Sequence, residues 1–129
     1  MIVADTDVLI DYLHGVSPVH EQIGRYLDSQ QLVTTVVTIF ELLSGGDEGR
    51  RAKATREIAE LIPVLTLDFV SAGRAAAVNR HLIQSGQSIN MGDSLIAGIA
   101  LANDLPLLTR NRKHFSRVPN LRLVDLQKV

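Results

Sequence analysis

Short apolar segments alternate with amphipathic stretches along this chain, and the alternation restricts the fold more than any other feature. The strand candidates are apolar or β-branched: residues 1–4, 31–37, 63–67, 105–109 and a last short one at 121–124. Strands that are separated by helices form a parallel sheet with helices packed on both faces. We therefore expect an α/β fold, a three-layer α/β/α sandwich with a short parallel sheet of four to five strands.

Turn and capping residues predict where the helices begin and end. Asp7 or Thr6 can cap the first helix, Thr38 begins the third, and Asp68 caps the fifth, which Gly86 ends. The helices predicted in this way cover 7–13, 19–27, 38–44, 47–61, 69–84 and 94–102. The last of them is rich in Ala and Gly, which indicates close packing on a neighbouring layer.

Length and composition exclude several classes of protein. A chain of 129 residues fits a single domain, residues 1–129, that buries roughly two-thirds of its unfolded surface. The absence of cysteine excludes disulfides, thiolate nucleophiles and cysteine-bound zinc, and it fits a reducing compartment, so we expect a cytoplasmic protein. The N-terminus lacks a basic region before its apolar run, and no segment approaches the ~20 apolar residues of a membrane span, so no membrane association is expected.

Charge is unevenly distributed although the net charge is only −1, which excludes a uniformly basic nucleic-acid binder. Two basic clusters stand out. They are Arg110, Arg112, Lys113, Arg117 and Arg122 near the C-terminus, and Arg50, Arg51, Lys53 and Arg56 in the middle of the chain. Each cluster is either a solvated face or a surface that contacts phosphates.

Four polar residues follow or face the carboxyl ends of the predicted strands. Asp5 ends the first strand, Asn111 lies two residues past the strand ending at Thr109, and Glu41 and Asp93 fall in the first turns of helices. Ligands of open parallel sheets bind beyond the carboxyl ends of the strands, so the fold permits these four side chains to converge.

Convergence of three carboxylates would either raise their own pKa values or require a cation. Two unit charges about 4 Å apart repel by roughly 4 kcal/mol at an effective dielectric constant near 20. Carboxylate and amide oxygens are hard ligands that suit Mg²⁺ or Mn²⁺. Such an ion can activate water and offset the charge on a leaving oxygen in phosphodiester hydrolysis. We therefore expect Asp5, Glu41, Asp93 and Asn111 to form a catalytic Mg²⁺ site, with Mn²⁺ as a possible substitute.

Each of the four residues also has a purely structural interpretation. Glu41 can close a capping box with Thr38, and Asp93 can favour the positive end of its helix. Asn111 fits a turn that follows a strand, and Asp5 can act as a helix cap.

The order and spacing of four motifs resemble one known family. The motifs are Val3-Ala4-Asp5-Thr6-Asp7-Val8-Leu9-Ile10, Thr38-Ile39-Phe40-Glu41-Leu42, Gly86 to Ile89 leading to Asp93-Ser94-Leu95-Ile96-Ala97, and Leu108-Thr109-Arg110-Asn111-Arg112-Lys113-His114-Phe115. As a set they are similar to PIN-domain ribonucleases, and more narrowly to the VapC-type toxins of toxin–antitoxin pairs.

The resemblance implies roles for individual residues. Asp5, Glu41 and Asp93 would occupy the acidic metal-site positions of the family, and Asn111 stands where many members carry a fourth acid. Asp7 departs from the more usual Asn or Ser, and we expect it to cap its helix. His114, beside Phe115, would be structural rather than a general base. Arg110, Arg112 and Lys113 would contact RNA phosphates, which agrees with the basic cluster.

The resemblance also implies partners: a structured RNA substrate such as transfer or ribosomal RNA, a cognate antitoxin, and a second copy in a homodimer. Two rival interpretations remain open at this point. Asp5-Thr6-Asp7 also matches the opening motif of haloacid-dehalogenase-type phosphatases, in which Asp5 would be the nucleophile and Asp7 the acid/base. Alternatively, the chain is a catalytically inactive PIN interaction module, which the Asn at 111 would permit.

Overall fold

The computed structural model describes residues 1–126, which form a sheet of four short strands and seven helices. The strands are β1 (Ile2–Ala4), β2 (Leu32–Thr35), β3 (Val64–Leu65) and β4 (Leu107–Leu108). The helices are α1 (Thr6–Leu13), α2 (Val19–Asp28), α3 (Val36–Leu43), α4 (Arg50–Leu61), α5 (Phe69–Gln84), α6 (Met91–Ala102) and α7 (Arg112–Phe115).

The sheet is parallel throughout and has the strand order β3-β2-β1-β4. Val3 of β1 is aligned with Val33 on one side and with Leu107 on the other. The carboxyl ends of all four strands consequently lie at one edge. The predicted strand at 121–124 is wrong, because this segment makes only an isolated bridge, between Leu123 and Leu107.

Two apolar cores lie on opposite faces of the sheet, which confirms the three-layer arrangement. Successive residues of a strand point to opposite faces, and accordingly Val3 belongs to one core and Ala4 to the other. The Val3 core includes residues of α5, α6 and α7: Leu82, Ile96, Ile99 and Phe115. The Ala4 core includes residues of α1 to α4: Leu9, Ile23, Leu42 and Ile58.

Helices α1 and α3 begin earlier than predicted. The cap of α1 is Asp5, whose Oδ1 accepts the Thr6 N–H, rather than Asp7 or Thr6. The cap of α3 is Thr35, whose Oγ1 accepts the Thr38 N–H. Glu41 therefore lies in the second turn of α3, and the capping box of Thr38 with Glu41 is not formed.

The boundaries of α2 and α5 agree closely with the prediction, whereas α6 begins at Met91, three residues before its predicted start at 94. Asp68 caps α5 by accepting the Ser71 N–H, and Gly86 follows the helix with a φ of +70°, a conformation that favours glycine. Helix α4 begins at Arg50 instead of residue 47, after Gly49 with a φ of +94°. Among residues 1–126, none of the helices has the length and apolar character to cross a membrane.

Candidate active site

Asp5 lies at the carboxyl edge of the sheet, directly after the central strand β1, and is only 5% exposed. Its two carboxylate oxygens have separate partners. Oδ1 accepts the Thr6 N–H at 2.8 Å, and Oδ2 accepts the Thr109 hydroxyl at 2.7 Å. Asp5 thus caps α1 and at the same time joins β1 to the segment that follows β4.

Glu41 reaches the same edge from α3. Its Oε1 accepts the Thr6 hydroxyl at 2.6 Å, and Thr6 is also 3.1 Å from the Thr38 hydroxyl. A Cβ atom added at Gly92 would lie 3.3 Å from Glu41 Oε2. The Glu41 carboxylate is therefore placed between the first residue of α1 and the first turn of α6.

Asp93 and Asn111 are brought together directly. Asp93 is 9% exposed in the first turn of α6, where its N–H is bonded to the capping residue Asn90. Asn111 Nδ2 donates to Asp93 Oδ2 at 3.3 Å and lies 2.9 Å from His114 Nδ1. His114 Nδ1 is itself 3.7 Å from Asp93 Oδ2. His114 is therefore in contact with the candidate site, and its structural role stays a prediction.

Two threonines that the sequence did not single out connect the predicted residues. Thr6 links Asp5 to Glu41, and the fully buried Thr109 donates to Asp5 while accepting the Asn111 N–H at 3.0 Å. Both threonines stand one or two residues from a predicted ligand. Their position beside predicted ligands was the sequence signal that could have identified them, although a threonine at a strand or helix end is common without such a role.

Asp7 does not cap α1, contrary to the prediction. Its carboxylate accepts the backbone N–H of Arg110, at 3.1 Å and 3.2 Å to the two oxygens, and lies 3.4 Å from the Thr109 hydroxyl. Asp5 takes the capping position because it is the last extended residue before the helix, with a φ of −75° and a ψ of 165°.

Mutual repulsion and burial dominate the electrostatics of this edge. Burial, together with the nearby charges of Asp7 and Asp93, raises the pKa of Asp5 to about 7 in spite of its two hydrogen bonds. Burial and the charge of Glu41 raise the pKa of Asp93, with His114 acting in the opposite direction. Burial also raises the pKa of Asp7. Burial and the neighbouring acids therefore disfavour the ionised forms of these acids, and the hydrogen bonds at the edge do not offset that penalty.

The basic residues predicted to contact phosphates differ in their surroundings. Arg110 Nε is 2.9 Å from Asp11 Oδ2, and Arg112 donates to the Val124 carbonyl. Lys113 is exposed and forms no ion pair within residues 1–126. Arg110 and Arg112 therefore already have partners within their own chain.

The donor chemistry of this edge fits a hard divalent cation, because carboxylate, amide and hydroxyl oxygens surround it. As the side chains stand, however, no three Asp, Glu or His side chains in residues 1–126 come close enough together to hold an ion. Glu41 is hydrogen-bonded to Thr6 and Asp93 to Asn111 instead.

Comparison with known proteins gives consistent similarities. The family described as PIN domain matches residues 2–121. Ribonuclease VapC10 of Mycobacterium tuberculosis is 34% identical over 95% of this chain and 91% of its own length. The tRNA(fMet)-specific endonuclease VapC of Shigella flexneri is 27% identical, over 77% of this chain and 78% of its own. The structure of VapBC-1 from nontypeable Haemophilus influenzae superposes with a TM-score of 0.78 at 25% identity, over 97% of this chain and 98% of that one.

Proposed function

Since this chain belongs to the PIN domain family, with the match extending over residues 2–121, we propose that it is an endoribonuclease of the VapC type. Its substrate bond is an RNA phosphodiester, and its chemistry takes place at the carboxyl edge of the sheet. Asp5, Glu41 and Asp93, with Asn111, are the catalytic residues in this proposal.

One observation carries the proposal: acids from three separate elements lie at one edge, connected through Thr6, Thr109 and Asn111. If these acids served only as helix caps, grouping them at one edge would be unfavourable without any benefit, because mutual repulsion disfavours their ionised forms. Carboxylates whose pKa values are raised by burial and by specific neighbouring charges, like those of Asp5 and Asp93, are typical of functional sites.

The same residues are the proposed ligands of a divalent metal. Asp5, Glu41, Asp93 and the amide oxygen of Asn111 are hard donors that suit Mg²⁺, with Mn²⁺ as an alternative. A bound ion would supply Lewis-acid activation of water and would offset charge on the leaving oxygen. The chain itself orients the acids: Thr6 holds Glu41, and Thr109 holds Asp5.

The proposed partners follow from the relatives. The name of the Shigella protein specifies a transfer RNA, which supports a structured RNA such as transfer RNA as the substrate. The Haemophilus structure is of a VapBC pair, which supports a cognate antitoxin as the protein partner. The similarity to VapC-type toxins also leads us to expect a homodimer.

The proposal is tested by incubating purified protein with total RNA and Mg²⁺ or Mn²⁺. Asp5→Ala and Asp93→Ala should each lower cleavage on the order of a hundredfold, because a metal ligand supplies several kcal/mol of stabilisation to the transition state. Asp28→Ala, which removes an exposed acid at the end of α2, is the matched control. Equal cleavage by the wild type and all variants would identify a contaminating nuclease and overturn the assignment.

The phosphatase alternative is opposed by the surroundings of Asp7. An acid/base aspartate must exchange protons with the substrate, whereas both oxygens of Asp7 accept the Arg110 N–H. Asp7→Asn retains an acceptor for that N–H, so RNA cleavage should persist, while a phosphatase would lose turnover. Trapping of a phosphorylated Asp5 would favour the phosphatase.

A further inference from the structure

Arg110 is held twice by one face of α1, through its backbone and through its side chain. We propose that Arg110 is a positioning residue: Asp7 and Asp11 fix it so that the segment 109–111 places Thr109 and Asn111 in the candidate site. This assignment replaces the expected RNA-phosphate contact of Arg110. It rests on the proposed function, because it concerns the same site.

The two holding residues are one helical turn apart. Asp7 and Asp11 are separated by four positions in α1, so their side chains lie on the same face of the helix. Asp7 accepts the Arg110 N–H at 3.1 Å and 3.2 Å, and Asp11 Oδ2 lies 2.9 Å from Arg110 Nε. The backbone and the guanidinium of a single residue are consequently fixed to one rigid element.

Burial makes the contact with Asp11 difficult to release. The Asp11 side chain is only 12% exposed, whereas that of Arg110 is 52% exposed. Removing one partner of a buried ion pair leaves an uncompensated buried charge, which is strongly unfavourable. The guanidinium is therefore held by Asp11, although part of it is exposed to solvent.

Arg110 anchors the segment 109–111, and the residues on either side of Arg110 make hydrogen bonds within the candidate site. Thr109, before it, donates to Asp5 at 2.7 Å and accepts the Asn111 N–H at 3.0 Å. Asn111, after it, donates to Asp93 at 3.3 Å. A displacement at Arg110 would therefore disturb both Asp5 and Asp93, although Arg110 is bonded to neither.

A double-mutant cycle tests the proposal, with Asp11→Ala, which removes the acceptor for Arg110 Nε, Arg110→Gln and the double variant assayed for RNA cleavage. Misplacement by about 1 Å can cost as much as a hundredfold in rate, so we expect kcat to fall about tenfold or more in each single variant. The double variant should be no slower than either single one, since the same contact is lost. KM and the dependence of cleavage on salt should stay unchanged.

Arg122→Gln is the matched control, because it breaks another Arg–Asp contact, that of Arg122 with Asp104, away from the segment. It should leave kcat and KM unchanged. Arg110→Lys is a milder second variant in case Arg110→Gln folds poorly. A positioning role predicts a lower kcat for it at constant KM, since lysine lacks the Nε–H group that faces Asp11.

The opposite pattern would overturn the proposal. If Arg110 binds RNA phosphates, Arg110→Gln should raise KM and flatten the salt dependence, Arg110→Lys should behave as wild type, and Asp11→Ala should leave kcat intact.

A readout without activity separates this proposal from the proposed function. Hydrogen exchange at the Arg110 amide, measured by NMR, should quicken in Asp11→Ala and stay unchanged in Arg122→Gln. An inactive wild type would contradict the proposed function, while slow exchange that Asp11→Ala accelerates would still support the positioning role. Unchanged exchange in Asp11→Ala would overturn it.

Discussion

Asp5 combines two roles that the sequence offered for it as alternatives, a helix cap and a residue of the candidate site. It caps α1 through the Thr6 N–H, and it is the most buried acid of the candidate site. The sequence predicted its place at the sheet edge, since an acid directly after an apolar strand must lie there. The sequence did not predict that Asp7 would bond to Arg110 instead of capping α1, because that contact joins residues 103 positions apart.

The raised pKa of Asp5 predicts how the stability of the metal-free protein depends on pH. Its pKa is about 7 in the folded state, against an ordinary value of 3.8, so between these values the folded protein binds more protons than the unfolded one. Stability should therefore fall as pH rises from about 4 to 7. Urea unfolding in EDTA at several pH values checks this.

Asp5→Asn is the informative variant for that experiment. Asn removes the titrating group and still caps a helix well, so the decline of stability with pH should become shallower without loss of the cap. Asp28→Asn should keep the slope of the wild type. Equal slopes for the wild type and Asp5→Asn would contradict the assigned environment of Asp5.

A divalent cation should stabilise the folded protein as well as activate it. A cation would favour the ionised forms of Asp5 and Asp93, which burial and repulsion otherwise disfavour, and a ligand that binds only the folded state stabilises it by mass action. Thermal melts with and without Mn²⁺ should differ for the wild type, and the difference should shrink in Glu41→Gln. No shift at saturating Mn²⁺ would argue against a preformed cation site.

At the scale of elements, the sequence predicted which segments are helices and strands better than it predicted their ends. Residues 31–37 are uniformly β-branched or apolar apart from the first, so nothing local shows that the strand stops at Thr35. The end is set by tertiary pairing, because β2 pairs only with the short strands β1 and β3. Helix α3 therefore begins two residues before its predicted start, and Glu41 reaches the site from the second turn of this helix.

Close packing of α5 and α6 depends on one glycine. A Cβ atom added at Gly98 would lie 2.6 Å from both Cβ and the backbone N of Ala75. Gly98→Ala should therefore force the helices apart and destabilise the protein by about 1–3 kcal/mol, in spite of the better helix propensity of alanine.

Gly73→Ala, on the neighbouring helix, is the matched control, since nothing lies within 4 Å of its added Cβ. It should be neutral or stabilise the protein by up to about 1 kcal/mol. Denaturant unfolding of both variants measures the difference. Equal effects of the two substitutions would contradict the tight contact at Gly98.

At the scale of the whole molecule, the ordered set of motifs predicted the family, and the alternation of strands and helices predicted the layers. Individually the acids were ambiguous, because each fits a helix cap or a turn. Their convergence depends on the strand order, which brings β4 beside β1, and on the hydroxyls of Thr6 and Thr109. Those contacts join residues up to 104 positions apart, which local patterns do not encode.

The distribution of charge over the molecule predicts where RNA docks. Arg50, Arg51, Lys53 and Arg56 are exposed on α4 and form no ion pair within residues 1–126, unlike Arg110. Replacing the first three with Gln should raise KM and lower the slope of log affinity against log salt by roughly 2. Arg74→Gln combined with Arg80→Gln on α5 is the control. An unchanged slope in the α4 variant would mean that this cluster is a solvated face.

The central position of β1 has a consequence during synthesis of the chain. Residues 2–4 are made long before residues 107–108 of β4, one of their two neighbours in the sheet. Asn111, which completes the candidate site, follows β4 by three residues. A growing chain on the ribosome therefore cannot assemble the candidate site before residue 111 has emerged.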